Sequence, residues 1–98
     1  MNVISFKGLL KQIEGHGDCR TAALDWFLAA RKSSWTSIQD VRMLYPSVDQ
    51  VGRVLIFNLR GNAYRLIVRV SYRGQALYVK ALRSHAEYDK KEWVKWAW

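Results

Sequence analysis

The sequence predicts an α+β domain in which N-terminal helices pack on one face of an antiparallel sheet. In the first half of the chain, apolar residues recur at helical spacing. From Arg53 to Tyr72 the chain is instead rich in Val, Ile, Leu, Phe and Tyr, the composition typical of strands. The 98 residues, half of them hydrophobic, suit one domain spanning residues 1–98.

Three helices are expected after a short strand at Asn2–Ser5. The first follows from an i, i+3, i+4, i+7 apolar stripe that runs from Phe6 to Ile13. Asp40 lies three residues after Ser37, which is the spacing of a capping box for the third helix. The polar residues expected to cap the three helices are Ser5, Asp18 and Ser37.

The second half predicts an antiparallel meander with strands at about Val54–Leu59, Ala63–Tyr72 and Gln75–Leu82. Gly61-Asn62 and Arg73-Gly74 are the expected turns between them. Side chains alternate along a strand, so the middle strand should have an apolar face for the helices to cover and an opposite basic face. That basic face would carry Arg65, Ile67, Arg69 and Ser71.

The positive charge is concentrated in one segment. The chain has a net charge of +8, and the stretch from Gly52 to Arg83 holds seven basic residues and no acid. One interpretation is a sheet face that binds a phosphate backbone. The other is a solvated face that limits aggregation of strand edges. We favour phosphate binding, because a solubilising surface usually mixes both signs of charge.

The segment from His85 to Lys90 contains five of the side-chain types that transfer or orient protons, namely His, Glu, Tyr, Asp and Lys. If it is helical, His85 and Asp89 lie four residues apart on one face, where the carboxylate can orient the imidazole. The residues alone leave two interpretations open, a site for proton transfer and an ordinary polar turn between a strand and a helix.

The last eight residues form an aromatic tail (residues 91–98) that holds three of the five tryptophans. Such a tail could stack on nucleic-acid bases, but we expect it to pack on its own domain or on a partner. The single Cys19 cannot form an internal disulfide, and no spacing of Cys and His predicts a metal or cofactor site. With no apolar run long enough for a membrane span and no secretion signal, we expect a cytoplasmic protein.

Two motifs carry a resemblance to a known family. They are the run from Val54 to Val68, which includes Arg60-Gly61-Asn62-Ala63-Tyr64-Arg65, and the later run from His85 to Lys90. Together with the Trp26 helix and the segment from Tyr45 to Asp49, they resemble the HigB toxins of the RelE/ParE-like superfamily. The resemblance extends to Lys90, implies a RelE-like fold, and does not account for the aromatic tail.

The resemblance implies the toxin of a type II toxin–antitoxin system. Such toxins cleave mRNA, typically on translating ribosomes, and are held inactive by a HigA-type antitoxin that binds DNA, so that DNA is contacted only through the antitoxin. The basic face also favours a small acidic partner that would cover it.

Metal-independent RNA cleavage through the ribose 2′-OH needs a base, an acid and cations for the phosphorane. We therefore assign Arg65 to the scissile phosphate, with Lys80 or Arg83 assisting from the neighbouring strand. His85 is assigned to proton transfer, Tyr88 to proton transfer or base stacking, and Asp89 to orienting the site. The residues assigned to RNA binding are Arg69, Lys80, Arg83 and Lys90.

A different class of function remains as an alternative: a non-catalytic inhibitor of the ParE type, acting on DNA gyrase, or a plain nucleic-acid-binding module. The superfamily fold is compatible with both classes. The cluster from His85 to Lys90 favours the enzyme, since binding alone does not need it. An antitoxin-like regulator is disfavoured, because no helix-turn-helix pattern is visible in the sequence.

Overall fold

A computed structural model describes residues 1–61 and 63–98, apart from the side chains of Phe6 and Gln12. Within these residues the chain forms nine regular elements, and short 3₁₀ turns at Gly17–Cys19 and Glu92–Trp96 add to them. The elements are β1 (Asn2–Ile4), α1 (Phe6–Gly15), α2 (Arg20–Lys32), α3 (Ile38–Leu44), β2 (Asp49–Val51), β3 (Val54–Leu59), β4 (Tyr64–Ser71), β5 (Ala76–Ser84) and α4 (His85–Asp89).

The strands form one five-stranded sheet in the order β1-β5-β4-β3-β2. The α+β class is therefore confirmed, but the prediction of a purely antiparallel sheet is wrong. Strands β2 to β5 pair antiparallel, whereas β1 pairs parallel with β5, with Asn2 opposite Ala76. Strands β1 and β5 are far apart in the sequence, so no hairpin fixes their relative direction.

The meander forms where the sequence predicts it. Strand β3 has the expected bounds, and β5 continues two residues beyond Leu82 to Ser84. Strand β2 was not predicted, since its three residues are too few to show an alternating pattern. The expected turn at Gly61-Asn62 includes Asn62, which lies outside the described residues.

The expected helix caps are wrong in detail. Ser5 and Ser37 occupy N-cap positions, but neither side chain makes a cap hydrogen bond. Asp40 instead accepts hydrogen bonds from the backbone and hydroxyl of Thr36, at 2.8 and 2.7 Å. Asp18 lies in the 3₁₀ turn before α2, where its carboxylate accepts from the Tyr64 hydroxyl and from Arg60. A partner distant in the sequence thus replaces the local cap.

The main hydrophobic core joins the three N-terminal helices to one face of the sheet. Leu9, Trp26 and Val41 are buried representatives of α1, α2 and α3. They share one cluster with the sheet residues Leu55, Phe57, Leu59, Leu66, Val68, Leu77, Val79 and Leu82. The Phe57 ring lies at the centre, 5.3 Å from the Trp26 ring and 5.2 Å from the Tyr45 ring.

The opposite face of the sheet has a smaller core, and the aromatic tail covers it. Trp93 and Ala97 are buried there against sheet residues that alternate with the main-core set, namely Val54, Ile56, Ile67 and Ala81. The expectation that the tail packs on its own domain is therefore confirmed for Trp93 and Ala97. Trp98 remains 81% exposed.

A register shift in β5 changes which residues reach this second face. Ile67 pairs with Ala81 while Val68 pairs with Val79, so Lys80 is an extra residue opposite that step. A bulge of this kind lets successive residues lie on one face. Lys80 and Ala81 accordingly share the face of Arg65, Arg69 and Arg83, which we call the basic sheet face.

None of the helices among residues 1–61 and 63–98 is long and apolar enough to cross a membrane.

Replacing Phe57 with alanine should destabilise the domain strongly, because the ring is fully buried among other aromatic rings. We expect Phe57→Ala to lower the free energy of unfolding by about 3–5 kcal/mol, as measured by denaturant titration. Met43 is 86% exposed, so Met43→Ala is the control and should change it by less than about 0.5 kcal/mol. If Phe57→Ala changed the free energy of unfolding only slightly, Phe57 would not lie at the centre of the main core.

Candidate active site

Helix α4 begins directly at the end of β5, and a capping box fixes this junction. The Ser84 backbone N–H donates to Glu87 Oε1 at 2.9 Å, and the Glu87 backbone N–H donates to Ser84 Oγ at 3.3 Å. The His85 N–H donates to the Ala63 carbonyl at 3.1 Å, which ties the helix to the start of β4. These bonds hold the predicted proton-transfer residues at one end of the sheet.

His85 and Asp89 lie on the same exposed face of α4. The segment is helical from His85, which is the condition under which the sequence predicts that the two side chains approach each other. His85 Nδ1 is 3.6 Å from Asp89 Oδ2, which is longer than a hydrogen bond but within range of a charge interaction when the imidazole is protonated. The carboxylate is thus placed to orient the imidazole.

Tyr88 faces the basic sheet face and contacts Arg65. The Arg65 guanidinium carbon lies 5.5 Å from the centroid of the Tyr88 ring, a cation–π contact. On the tail, Trp93 stacks on Tyr88 with ring centroids 5.1 Å apart and planes within 5° of parallel. Arg65, Tyr88 and Trp93 therefore form a continuous contact between the middle strand, α4 and the aromatic tail.

Burial raises the pKa of the Tyr88 hydroxyl above its ordinary value, and the nearby Asp49 and Asp89 carboxylates raise it further. Arg65 lowers the pKa, but by less than burial or Asp49 raises it. The Tyr88 phenol consequently remains protonated near neutral pH, where it can donate a proton or a hydrogen bond.

Two arginines face each other across β4 and β5 beside this contact. Arg65 is the direct cross-strand partner of Arg83, and Asn58 lies opposite Arg65 on β3. The two guanidinium groups concentrate positive charge at this position, which favours an anionic ligand beside them. Planar guanidinium groups bind phosphate oxygens in pairs, which makes a phosphate a suitable anion.

Arg69 and Lys80, predicted with Arg65 as one cationic surface, lie toward the other end of the basic sheet face. Arg69 is four residues along β4 from Arg65, or about 13 Å at the usual rise per residue. A cavity of about 670 Å³ lies there. Its lining residues are Arg53, Arg69, Val70, Ser71, Tyr78 and Lys80. The tail residue Trp93 covers Ile67 between the two ends.

The predicted site residues thus fall into two groups. Arg65, Arg83, Tyr88, Asp89 and His85 lie at the end of the sheet where α4 begins, and the exposed Lys90 follows them. Arg69 and Lys80 belong to the cavity. Among the described residues, no group of three or more His, Cys, Asp or Glu side chains could hold a metal ion.

Three residues that the sequence did not mark contribute to the site. Arg53 lines the cavity from the turn between β2 and β3, but β2 itself was not predicted. Trp93 was expected only to pack, yet it contacts Tyr88 directly. His16, which follows α1, also contributes: its Nε2 lies 3.4 Å from Glu87 Oε1, and its ring is 5.0 Å from the Tyr64 ring. Only the folded chain brings these partners together.

Acidification should weaken the cap of α4. The hydrogen bond from the Ser84 backbone lowers the pKa of the Glu87 carboxyl, and the Ser84 hydroxyl, His16 and Arg83 contribute in the same direction. Because the pKa is lower in the folded state, the stabilisation is complete above the ordinary glutamate pKa and is lost as the pH falls through the lowered value. Carbon-13 NMR titration of the carboxyl groups should show Glu87 below the usual glutamate range.

Glu87→Gln is the control for this titration, because the amide oxygen can still accept the Ser84 hydrogen bond but does not titrate in this range. The backbone amide shift of Ser84, whose N–H donates to this side chain, should therefore move much less on acidification in the variant than in the original protein. A Glu87 carboxyl that titrates at its ordinary value would contradict the capping geometry.

Known proteins are similar in sequence to this chain over most of its length. A model of the HigB_toxin family, the RelE-like toxic component of a toxin-antitoxin system, matches residues 19–91. The mRNA interferase toxin HigB of Escherichia coli (strain K12) and the mRNA interferase HigB of Shigella flexneri are each 24% identical to this chain over 92 residues. The alignments cover 91% of this chain and 88% of each relative. The resemblance noted in the sequence is confirmed, and the chain belongs to the HigB toxin family.

Proposed function

We propose that this HigB-family toxin is a metal-independent endoribonuclease that cleaves mRNA at the end of the basic sheet face where α4 begins. The relatives named above are mRNA interferases, and the family is the toxic component of a toxin-antitoxin system. The single observation that carries the proposal is the contact between Arg65 and Tyr88. This contact supports the proposal because it joins a cation of β4 to Tyr88 of the proposed proton-transfer cluster.

The proposed reaction uses the ribose 2′-OH as the nucleophile. His85 takes the proton of the 2′-OH, whose oxygen forms a bond to the adjacent phosphorus, and the bond from phosphorus to the 5′-oxygen breaks. Tyr88, whose phenol is protonated at neutral pH, donates its proton to that leaving oxygen. The products are a 2′,3′-cyclic phosphate and a 5′-OH end. Asp89 orients His85 from 3.6 Å.

The cations stabilise the charge that develops on the phosphorane. Arg65 and Arg83 are opposite each other on adjacent strands, so both guanidinium groups can reach the same phosphate. Their effect on the rate comes from binding the transition state more tightly than the substrate. Arginine keeps its proton throughout, and therefore supplies charge without exchanging protons with the reacting groups.

The cavity is proposed to bind the RNA backbone away from the cut. Arg69 and Lys80 supply positive charge there together with Arg53, and none of the described residues that line the cavity is acidic. Exposed Lys90 extends the cationic surface on the α4 side. Contacts with phosphates fix the position of the strand without reading its bases.

The partners follow from the family. A toxin-antitoxin system supplies an antitoxin, which we propose to be of the HigA type and to contact DNA itself. The net charge of +8 favours an acidic antitoxin surface over the basic sheet face. We also propose that the substrate is mRNA on translating ribosomes.

Removing the imidazole should reduce cleavage without unfolding the domain, because the side chain of His85 is 59% exposed. A general acid or base contributes about 10²–10⁴-fold, so His85→Ala should lose that much of the rate. Mapping of transcript 5′ ends after brief induction measures the loss, with and without ribosomes. His85→Ala protein that cuts at the original rate would exclude His85 from the mechanism. Altered DNA supercoiling without new RNA ends would instead support a ParE-like inhibitor.

Arg65→Ala should lose far more activity than stability if the guanidinium binds the scissile phosphate. Arg42 is exposed on α3, away from the basic sheet face, so Arg42→Ala is the matched control and should keep both. Cleavage rate and thermal unfolding are measured on the same preparations. Proportionate losses of activity and stability in Arg65→Ala would identify Arg65 as a packing residue.

Changes in the cavity should affect binding more than chemistry. Arg69→Ala and Lys80→Ala should each raise KM with little effect on kcat, since uniform binding contributes to KM alone. Each lost phosphate contact should also reduce the slope of log affinity against log salt by about 1. Titrations of a non-cleavable RNA at several salt concentrations measure this, with Arg42→Ala again as the control. If neither variant changed the salt slope, the RNA backbone would not bind in this cavity.

A further inference from the structure

The aromatic tail is a feature of this chain that the family match does not take in. The match ends at residue 91, so all but the first residue of the tail lie beyond it. Lys91 adopts a left-handed backbone conformation with φ of 58°, which turns the chain back after α4. The following 3₁₀ turn at Glu92–Trp96 then lies against the second face of the sheet.

Trp93 connects this tail to the proposed site by two contacts with the same residue. Its ring stacks on the Tyr88 ring, nearly parallel and with centroids 5.1 Å apart. Its indole N–H donates to the Tyr88 backbone carbonyl at 3.2 Å. The Trp93 side chain is only 6% exposed and packs on Ile56, Ile67 and Ala81, so its own position is fixed by the sheet.

The end of the tail is attached to the turn between β2 and β3. The Arg53 backbone N–H donates to the Ala97 carbonyl at 2.9 Å. Gly52, with φ of 55°, makes the close approach possible, because a β-carbon there would overlap the Ala97 carbonyl oxygen and would lie 3.0 Å from the Trp98 ring. The tail is therefore held at both ends, at α4 and at Gly52.

We propose that Trp93 is a positioning residue, which holds the Tyr88 ring and hydroxyl in the orientation needed for RNA cleavage, and that the tail is the clamp that keeps Trp93 in place. The inference rests on the proposed function. Without the indole, the Tyr88 ring would lose its stacking partner and would keep the Arg65 contact. A displacement of about 1 Å in a catalytic group can cost about 10²-fold in rate.

The test separates positioning from packing. Trp93→Leu keeps an apolar side chain over Ile67 but removes the flat stacking surface and the N–H donor, whereas Trp93→Phe restores a stacking ring. Trp93→Leu should lower kcat for mRNA cleavage at least about 10-fold with KM changed less than about 3-fold, and Trp93→Phe should recover most of the rate. If Trp93 had a merely structural role, both variants would lose cleavage activity in proportion to their loss of thermal stability.

A second comparison asks whether Trp93 acts through Tyr88. In a Tyr88→Phe background the hydroxyl is absent, so Trp93→Leu should reduce the residual cleavage rate by less than about 2-fold. The same loss in both backgrounds would overturn the proposal. Original protein that cleaves no RNA would overturn the proposed function instead, and the two failures are thus distinguishable.

The clamp is tested at Gly52, which is not one of the proposed catalytic residues. Gly52→Ala introduces the clash with the tail, and Gly61→Ala is the matched control, since Gly61 also has positive φ, at 64°, but nothing within 4 Å of an added β-carbon. Only Gly52→Ala should lower kcat and speed removal of Trp98 by carboxypeptidase, a readout independent of RNA. Equal behaviour of the two variants would exclude the clamp.

Discussion

The structure depends on a strand that is buried on both faces. In β4, Leu66 and Val68 face the helical layer, while Ile67 between them faces the other side, and all three are inaccessible to solvent. Such a strand needs two covers. The helices supply the first, and the aromatic tail supplies a narrow second one. Because that second cover extends only across the middle of the face, arginines reach the surface on either side of it, at Arg65 and at Arg69.

Much of this could be predicted from the sequence, where the information is local. The apolar stripe from Phe6 and the β-branched run from Val54 define α1 and β3 within a few residues. The spacing of His85 and Asp89 anticipates their approach in α4, since four residues make about one helical turn. The resemblance to the family could also be found from the sequence, because each of its two motifs is a run of consecutive residues.

The remaining features depend on contacts between distant segments, for which the sequence carries no periodic signal. The parallel pairing of β1 with β5 joins residues more than seventy positions apart. Asp18 is a residue type that commonly caps helices, but its carboxylate accepts hydrogen bonds from Tyr64 and Arg60 instead. A strict alternation along β5 would misplace either Arg83 or Tyr78, because the bulge at Lys80 shifts the pattern by one residue. The sequence therefore does not predict that the basic residues of the sheet separate into two groups.

The two outermost strands, β1 and β2, have three residues each. An exposed strand edge offers unpaired N–H and C=O groups on which another chain can extend the sheet, and the hazard grows with the length of the edge. The longer and more apolar strands β3, β4 and β5 are all enclosed between these short neighbours. The order of the strands thus protects a Val- and Ile-rich meander from intermolecular β-pairing, and leaves association with partners to side chains.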